Sequence, residues 1–284
     1  MAEVTSTRFN AFVERVLDSA LVRVYLFGNY DDAFASDLAQ TLQRALPEDR
    51  AGATEYARER VYAPVSGQTL VKNTDLPVED LGMMLLYAAP EATVANEATG
   101  RVLARHLRNR AFDTLRTEEQ LGYAAGGLTT TLQDHPMIGF YIQTPVKGPV
   151  AMLERFEAFA GEYALMLDEL TEEQFANLKS GVLTQLTEPP TNLSDEAGPF
   201  IGDWNRERYD FASRAEMIAA VEAVPLDTMR DYYRATVLSS EPSRILIQMR
   251  GERWQAEPFA TIEGATEIDS VEAFHEQMPL QPLD

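Results

Sequence analysis

Phe112-Asp113-Thr114-Leu115-Arg116-Thr117-Glu118-Glu119-Gln120-Leu121-Gly122-Tyr123 is the stretch from which the rest of the chain can be placed. It reads as the end of a helix, where Arg116 lies favourably against the negative end of the helix dipole. A turn then leads through Gly122 into a strand opened by Tyr123. Arg116 and Tyr123 can therefore point to one place, although a C-terminal arginine cap and a strand aromatic also account for both in structural terms.

Upstream, a helix of about 20 residues starts near Glu91, with Ala95, Ala98, Val102, Leu103, Leu107 and Ala111 inward. Extended pieces precede it at Arg60 to Ala63, Gln68 to Lys72 and Leu81 to Ala88. Downstream, Leu121 to Thr131 and Met137 to Thr144 flank a turn as an antiparallel pair. Val150, Leu153, Phe156, Ala160, Tyr163, Leu167 and Leu170 then step by three and four, which is helix periodicity. Thr171-Glu172-Glu173-Gln174 is a capping box that opens a further helix, running to Pro189-Pro190. Two or three shorter helices fill Ser194 to Leu238, and Arg244 to Met249 is the last strong strand. At the N-terminus the pattern reads helix around Phe9 to Leu17, strand from Leu21 to Phe27 ending at Gly28, and helix from Asp32. A polar link follows at Pro47 to Gly52. The helix, strand and glycine around Val22 to Gly28 are echoed at Ile245 to Gly251, which supports a boundary near residue 52. From Gly251 onward the chain is acidic, contains Pro258, Pro279 and Pro282, and reads as a loosely docked tail.

The 284 residues carry 24 Lys and Arg against 45 Asp and Glu, a net charge of −21. Such a chain is repelled by phosphate backbones and anionic lipid, so neither nucleic acid nor membrane is an expected partner. Hydrophobic residues at 45% suffice for a packed core. There is no cysteine, hence no disulfide and no thiolate chemistry. Residues 1–7 read as neither signal peptide nor anchor, and no stretch approaches the roughly 18 apolar residues of a membrane span. A soluble protein of a bacterial periplasm or cytoplasm fits equally.

The three histidines, His106, His135 and His275, form no H-x-x-E-H or H-E-x-x-H motif, and each reads as solvated. Gly126-Gly127 and Gly139 match no phosphate-binding loop, and no G-x-S-x-G is present. Ser180-Gly181 lies within a helix. Glu118-Glu119, Glu172-Glu173 and Asp31-Asp32 read as solvated helix starts. Arg101, Arg105, Arg108 and Arg110 form a basic cluster, either paired with surface carboxylates or facing a partner.

The pattern Phe-x-x-Leu-Arg-Thr-x-x-Gln-Leu-Gly-Tyr resembles the hallmark of the C-terminal, non-zinc-binding part of pitrilysin and insulin-degrading enzyme, inverzincin metallopeptidases with an H-x-x-E-H catalytic motif. Leu26-Phe27-Gly28-Asn29, Leu170 to Phe175, Leu193 to Ala197, Trp204, Tyr209-Asp210-Phe211, Val224 to Asp227 and Tyr232-Tyr233 follow in the family's order, so that the resemblance spans about residues 20–250. It implies an α+β fold, with helices on one face of a mainly antiparallel sheet. It also implies that residues 1–52 end a third domain, that 56–255 form a complete fourth domain, and that 256–284 are an acidic tail. The chain is then expected to complete a peptide-binding chamber and to be inactive alone, its catalytic residues lying elsewhere. Arg116 and Tyr123 are the substrate-binding residues that the resemblance implies. Zinc belongs to the missing N-terminal half, which is the expected partner together with a peptide substrate. The alternative is a stand-alone interaction or subunit protein of the same fold.

Overall fold

The structure, a computed structural model, describes residues 4–46, 60–61, 66–132, 135–278 and 281–282. Within these limits the chain divides into two units, Met1–Glu59 with Pro190–Phe211, and Arg60–Pro189 with Ala212–Asp284. The polar link at 47–52 lies outside the described residues, as do Tyr62 and Ala63 of the first expected extended piece.

The smaller unit contains helices α1 (Ser6–Ser19) and α2 (Asp32–Ala45). Thr5 caps the first through the Arg8 amide and Asp31 the second through the Phe34 amide. Neither helix buries a side chain. Residues 21–27, expected as a strand, lie in no ladder among the described residues. β propensity alone does not make a strand; a neighbouring backbone must take its hydrogen bonds. The aromatic side chains of this segment instead pack on helix α6 (Leu193–Asn205) and the loop after it. Tyr25 stands 5.4 Å from Trp204 and 6.2 Å from Phe211, and Phe27 stands 5.5 Å from Phe200.

The larger unit is built on a six-stranded sheet. Its strands are β2 (Thr69–Asp75), β3 (Leu81–Ala88), β4 (Ala124–Leu132), β5 (His135–Thr144), β6 (Arg244–Arg250) and β7 (Thr266–Glu267), in the order β4-β5-β3-β6-β2-β7. The run β4-β5-β3-β6 is antiparallel as expected, whereas β2 is parallel to both its neighbours, so the sheet is mixed. A separate two-residue pair joins β1 (Arg60–Val61) to β8 (Gln281–Pro282).

Helices α3 (Val94–Ala111), α4 (Pro149–Asp168), α5 (Glu172–Thr187), α7 (Ser213–Ala223) and α8 (Leu226–Val237) share one core with the sheet face that carries Leu81, Met83, Leu85, Tyr87, Ile138, Phe140 and Leu246. An α+β fold with helices on one sheet face is therefore what the chain forms. The apolar residues read along α4 are buried except Val150, and those along α3 except Ala95, which lies in an exposed first turn. At the centre, Phe140, Phe159, Tyr163 and Tyr233 follow one another with centroid spacings of 5.5, 6.1 and 5.0 Å. Two of these contacts are edge-on, the arrangement that brings a positive ring edge to a negative face. The capping box forms: Thr171 accepts from the Gln174 amide at 3.3 Å, and the Thr171 amide donates to Gln174 Oε1 at 3.0 Å. The opposite sheet face holds a smaller cluster of Leu86, Ala88 and Met137.

Two expectations are corrected here. The segment after Gly251 is strapped to the sheet, not loosely docked, over its described part. Gln248, fully buried, exchanges two hydrogen bonds of 2.9 Å with the Ala260 backbone. Lys72 Nζ reaches the carbonyls of Ile268 and Asp269 at 2.9 and 2.7 Å, and β7 extends the sheet before helix α9 (Val271–Gln277). His106 is also not solvated but 7% exposed. Arg110 Nε donates to its Nε2 at 3.3 Å, so Nδ1–H is left to donate to the Tyr163 hydroxyl at 2.9 Å. Burial, with the Arg110 charge alongside, pushes the imidazole down to about 4. In the unfolded chain it titrates near 6.5, so the unfolded state takes up a proton first as pH falls. The stability it contributes is complete above about pH 6.5 and is lost toward pH 4, by about 3 kcal/mol. Urea unfolding between pH 7 and 4 is expected to show this acid loss in the unaltered chain and a flatter profile in His106→Gln.

Candidate functional site

Helix α3 does not stop at Ala111. It runs on as a π-helical segment, Phe112–Glu118. The Glu119 amide donates to the Thr114 carbonyl at 3.0 Å and the Leu121 amide to the Leu115 carbonyl at 2.9 Å. Each such bond encloses more residues than an α-turn, which widens the helix locally; segments of this kind recur at functional sites. Leu115 is fully buried and Thr114 nearly so, which anchors the segment and turns Arg116 outward.

The exit from the segment is fixed by the neighbouring strand. Gln120 has φ of 53°, the left-handed conformation that reverses the chain. Leu121 is buried, and its carbonyl accepts a hydrogen bond from the Thr144 hydroxyl. Gly122 passes so close to β5 that a Cβ there would stand 2.0 Å from the Gln143 carbonyl oxygen. No other residue fits. Glu119, expected to be solvated, instead makes a two-point ion pair with Arg155 of α4, with contacts of 2.9 and 2.6 Å. Arg155 also holds Glu162 at 2.8 Å and is only 14% exposed. The Glu119 hydrogen bonds, followed in importance by those from Glu162 and working against burial, hold its guanidinium above the usual arginine range. Planar two-point geometry makes this pair stronger than an ordinary surface contact.

Arg116 and Tyr123 are brought together. The guanidinium carbon lies 5.1 Å from the Tyr123 ring centroid and 4.6 Å from that of Phe112, so that two rings hold one cation. Tyr123 is 83% exposed. Among the described residues no carboxylate pairs with Arg116, although the chain carries 45 acidic residues. Among the described residues no hydrogen bond engages the Arg116 guanidinium, so its N–H groups are left for a ligand. Together with the phenol, these donors suit the carbonyls or a carboxylate of a peptide. Phe112 had no role assigned from the sequence; its position four residues before Arg116 on a helical segment is the signal that places the two together.

Three arginines of the expected cluster are engaged elsewhere. Arg101 pairs with Glu97 at 2.7 Å, Arg110 bonds His106, and Arg105 lies over Gly181 of α5, where a Cβ would stand 2.5 Å from its guanidinium carbon. Nor do the histidines assemble: His106 is held by Tyr163, His135 Nε2 meets the Ala89 carbonyl at 2.9 Å, and His275 is on α9. Among the described residues no three acidic or histidine side chains gather to hold a metal, so these donors do not fit a zinc ion.

Compared with known proteins, residues 102–201 match the family described as PQQ synthase PqqF-like, C-terminal lobe domain 4. The chain is 24% identical to Protease 3 of Escherichia coli strain K12 over 99% of its length, and 21% identical to insulin-degrading enzyme of Drosophila melanogaster over 96%. It is a homologue of the pitrilysin-family peptidases. The crystal structure of pitrilysin superposes with a TM-score of 0.86 at 23% identity, covering 99% of this chain and 30% of that one. An inactive domain of a peptidase M16 from Pseudomonas fluorescens superposes with a TM-score of 0.56 at 13% identity, covering 94% and 60%. This pitrilysin homologue spans less than a third of Protease 3 and of insulin-degrading enzyme, 29% and 28% respectively. The site places a severe demand on Gly122. Gly122→Ala is expected to cost at least about 2 kcal/mol in urea unfolding, because strand β5 must move to admit the methyl group.

Proposed function

We propose that this chain is the non-catalytic C-terminal portion of a pitrilysin-like zinc metalloendopeptidase. It completes the peptide-binding chamber and positions substrate for an H-x-x-E-H half that supplies zinc. The observation that carries this reading is the Arg116 guanidinium, held between Phe112 and Tyr123 with its N–H groups unpaired by any described carboxylate. Such a group is pre-set to meet a peptide carbonyl, and a donor aimed at a developing oxyanion contributes about 3–4 kcal/mol to transition-state stabilisation. The residues of this chain bind and orient; none supplies an activated water.

The domain reading has separate support. Helices α1 and α2 bury nothing, and residues 21–27 have no strand partner among the described residues, as suits the end of a domain whose remainder is elsewhere. On this reading 1–52 close a third domain, 56–255 form a fourth, and 256–284 follow as an acidic extension. The second reading, a stand-alone non-catalytic subunit of the same fold, is favoured by the likeness to a structure named as an inactive M16 domain.

The test is to combine the chain with the H-x-x-E-H half of its own parent and to follow peptide cleavage. Restored cleavage that falls about a hundredfold in Arg116→Ala, and measurably in Tyr123→Phe, with urea midpoints unchanged, is the expected result. Cleavage indifferent to both substitutions would reduce the chain to a chamber wall.

A further inference from the structure

The sheet face away from the helices has a depression of about 410 Å³ at the end where β4 begins and β5 finishes. Small residues make it. Gly82 pairs with both Gln143 and Met249, and Ala124, the residue directly after Tyr123, also pairs with Gln143. Met84, Tyr141 and Met249 rise around these positions, and Leu76 and Val78 form the remaining wall. That wall is pinned: the Leu76 amide donates to the Arg250 carbonyl at 2.9 Å, the Glu252 amide donates to the Val78 carbonyl at 2.6 Å, and Gly251 is packed so closely that a Cβ would lie 2.2 Å from the Asp80 carbonyl. The hollow is therefore formed before any occupant arrives.

Its polar side chains are few, and Asp80 alone among the lining residues carries a charge. The Asp80 carboxylate accepts from Gln143 Nε2 at 3.0 Å. Among the described residues no cation pairs with it, and the Tyr141 hydroxyl makes no hydrogen bond. A purely apolar occupant would cover the carboxylate without neutralising it, which costs free energy. A long aliphatic stem with a cationic head satisfies both parts, the stem against Met84 and Met249 and the head on Asp80. The net charge of −21 favours the approach of such a group.

We propose that this hollow is a binding site for the lysine or arginine side chain of an extended peptide, beside the Arg116–Tyr123 site. The proposal rests on the reading of the chain as a peptide-holding wall and adds the class of side chain that it selects.

The test uses the full chain with its methionine methyl groups labelled for NMR. Three blocked heptapeptides are titrated that differ only in a central lysine, norleucine or glutamate. The expected result is saturable movement of the Met84 and Met249 methyl signals with the lysine peptide. Affinity should be about fivefold weaker for norleucine, weaker still for glutamate, and about fivefold weaker for lysine in Asp80→Asn or at high salt. Equal affinity for lysine and norleucine, an indifferent Asp80→Asn, or unmoved Met84 and Met249 signals at millimolar peptide would each overturn the proposal. The lysine–norleucine comparison needs no altered protein, so a misfolded variant leaves it decisive. Arg116→Ala separates the two readings. Selectivity kept while cleavage ignores Arg116 removes only the earlier reading, and selectivity absent while cleavage needs Arg116 removes only this one.

Discussion

Strand β5 is pressed between its neighbours at two glycines, and the placement of nearly everything else in the larger unit follows from that contact. At Gly139 a Cβ would stand 2.0 Å from the Leu85 carbonyl oxygen of β3, and at Gly122 a Cβ would stand equally close to the Gln143 carbonyl oxygen of β5 itself. Backbone meets backbone on both sides. The first approach sets β3 against β5 over eight paired residues, Leu81 to Ala88, and so aligns Met83 and Leu85 with Phe140 under α4. The second fixes where the chain leaving α3 joins β4, and with it the position of Tyr123. A third glycine, Gly127, lets Leu107 of α3 sit directly on β4, since a Cβ would lie 2.5 Å from its Cγ.

The ring contacts at Arg116 differ in kind from the ion pairs elsewhere on the surface. Arg101 with Glu97 or Arg230 with Asp227 are local pairs between partly exposed side chains, worth a few tenths of a kcal/mol each. Arg116 has two rings beside it and, among the described residues, no carboxylate, so its hydrogen-bonding capacity is not consumed. A free arginine loses about 2 kcal/mol of side-chain entropy when a ligand fixes it. Phe112 and Tyr123 remove part of that freedom in advance, while Glu119 on Arg155 restrains the backbone that carries them.

What the sequence made legible is what a single segment decides for itself. Helix α4 was readable because Leu153, Phe156, Ala160, Tyr163 and Leu167 all face one core, and α5 because Thr171 and Gln174 satisfy each other across three residues. Arg116 and Tyr123 were readable as a pair through the helix-turn-strand pattern. The rest depends on partners far along the chain. Residues 21–27 have the composition of a strand, but Tyr25 and Phe27 meet Phe200, Trp204 and Phe211, and no local pattern announces that. His106 looked solvated because it reads as lying on the polar side of its helix, yet Tyr163 and Arg110 enclose it. Glu119 shares a doublet with Glu118, and only Arg155 on another helix distinguishes the two. The π-helical segment leaves no periodic signature, because its extra residue displaces the frame only once.

Strand β2 lies between two parallel neighbours, and Thr69 is joined through its hydroxyl to Arg244, 175 residues later in the chain. A parallel pairing over that separation has a high contact order, so loop closure must precede any gain from the ladder. During synthesis β2 and β3 emerge long before β6 can be inserted between them. Until then one edge of each strand exposes unpaired N–H and C=O groups, and the sheet of this unit can close only once the chain through β6 has left the ribosome.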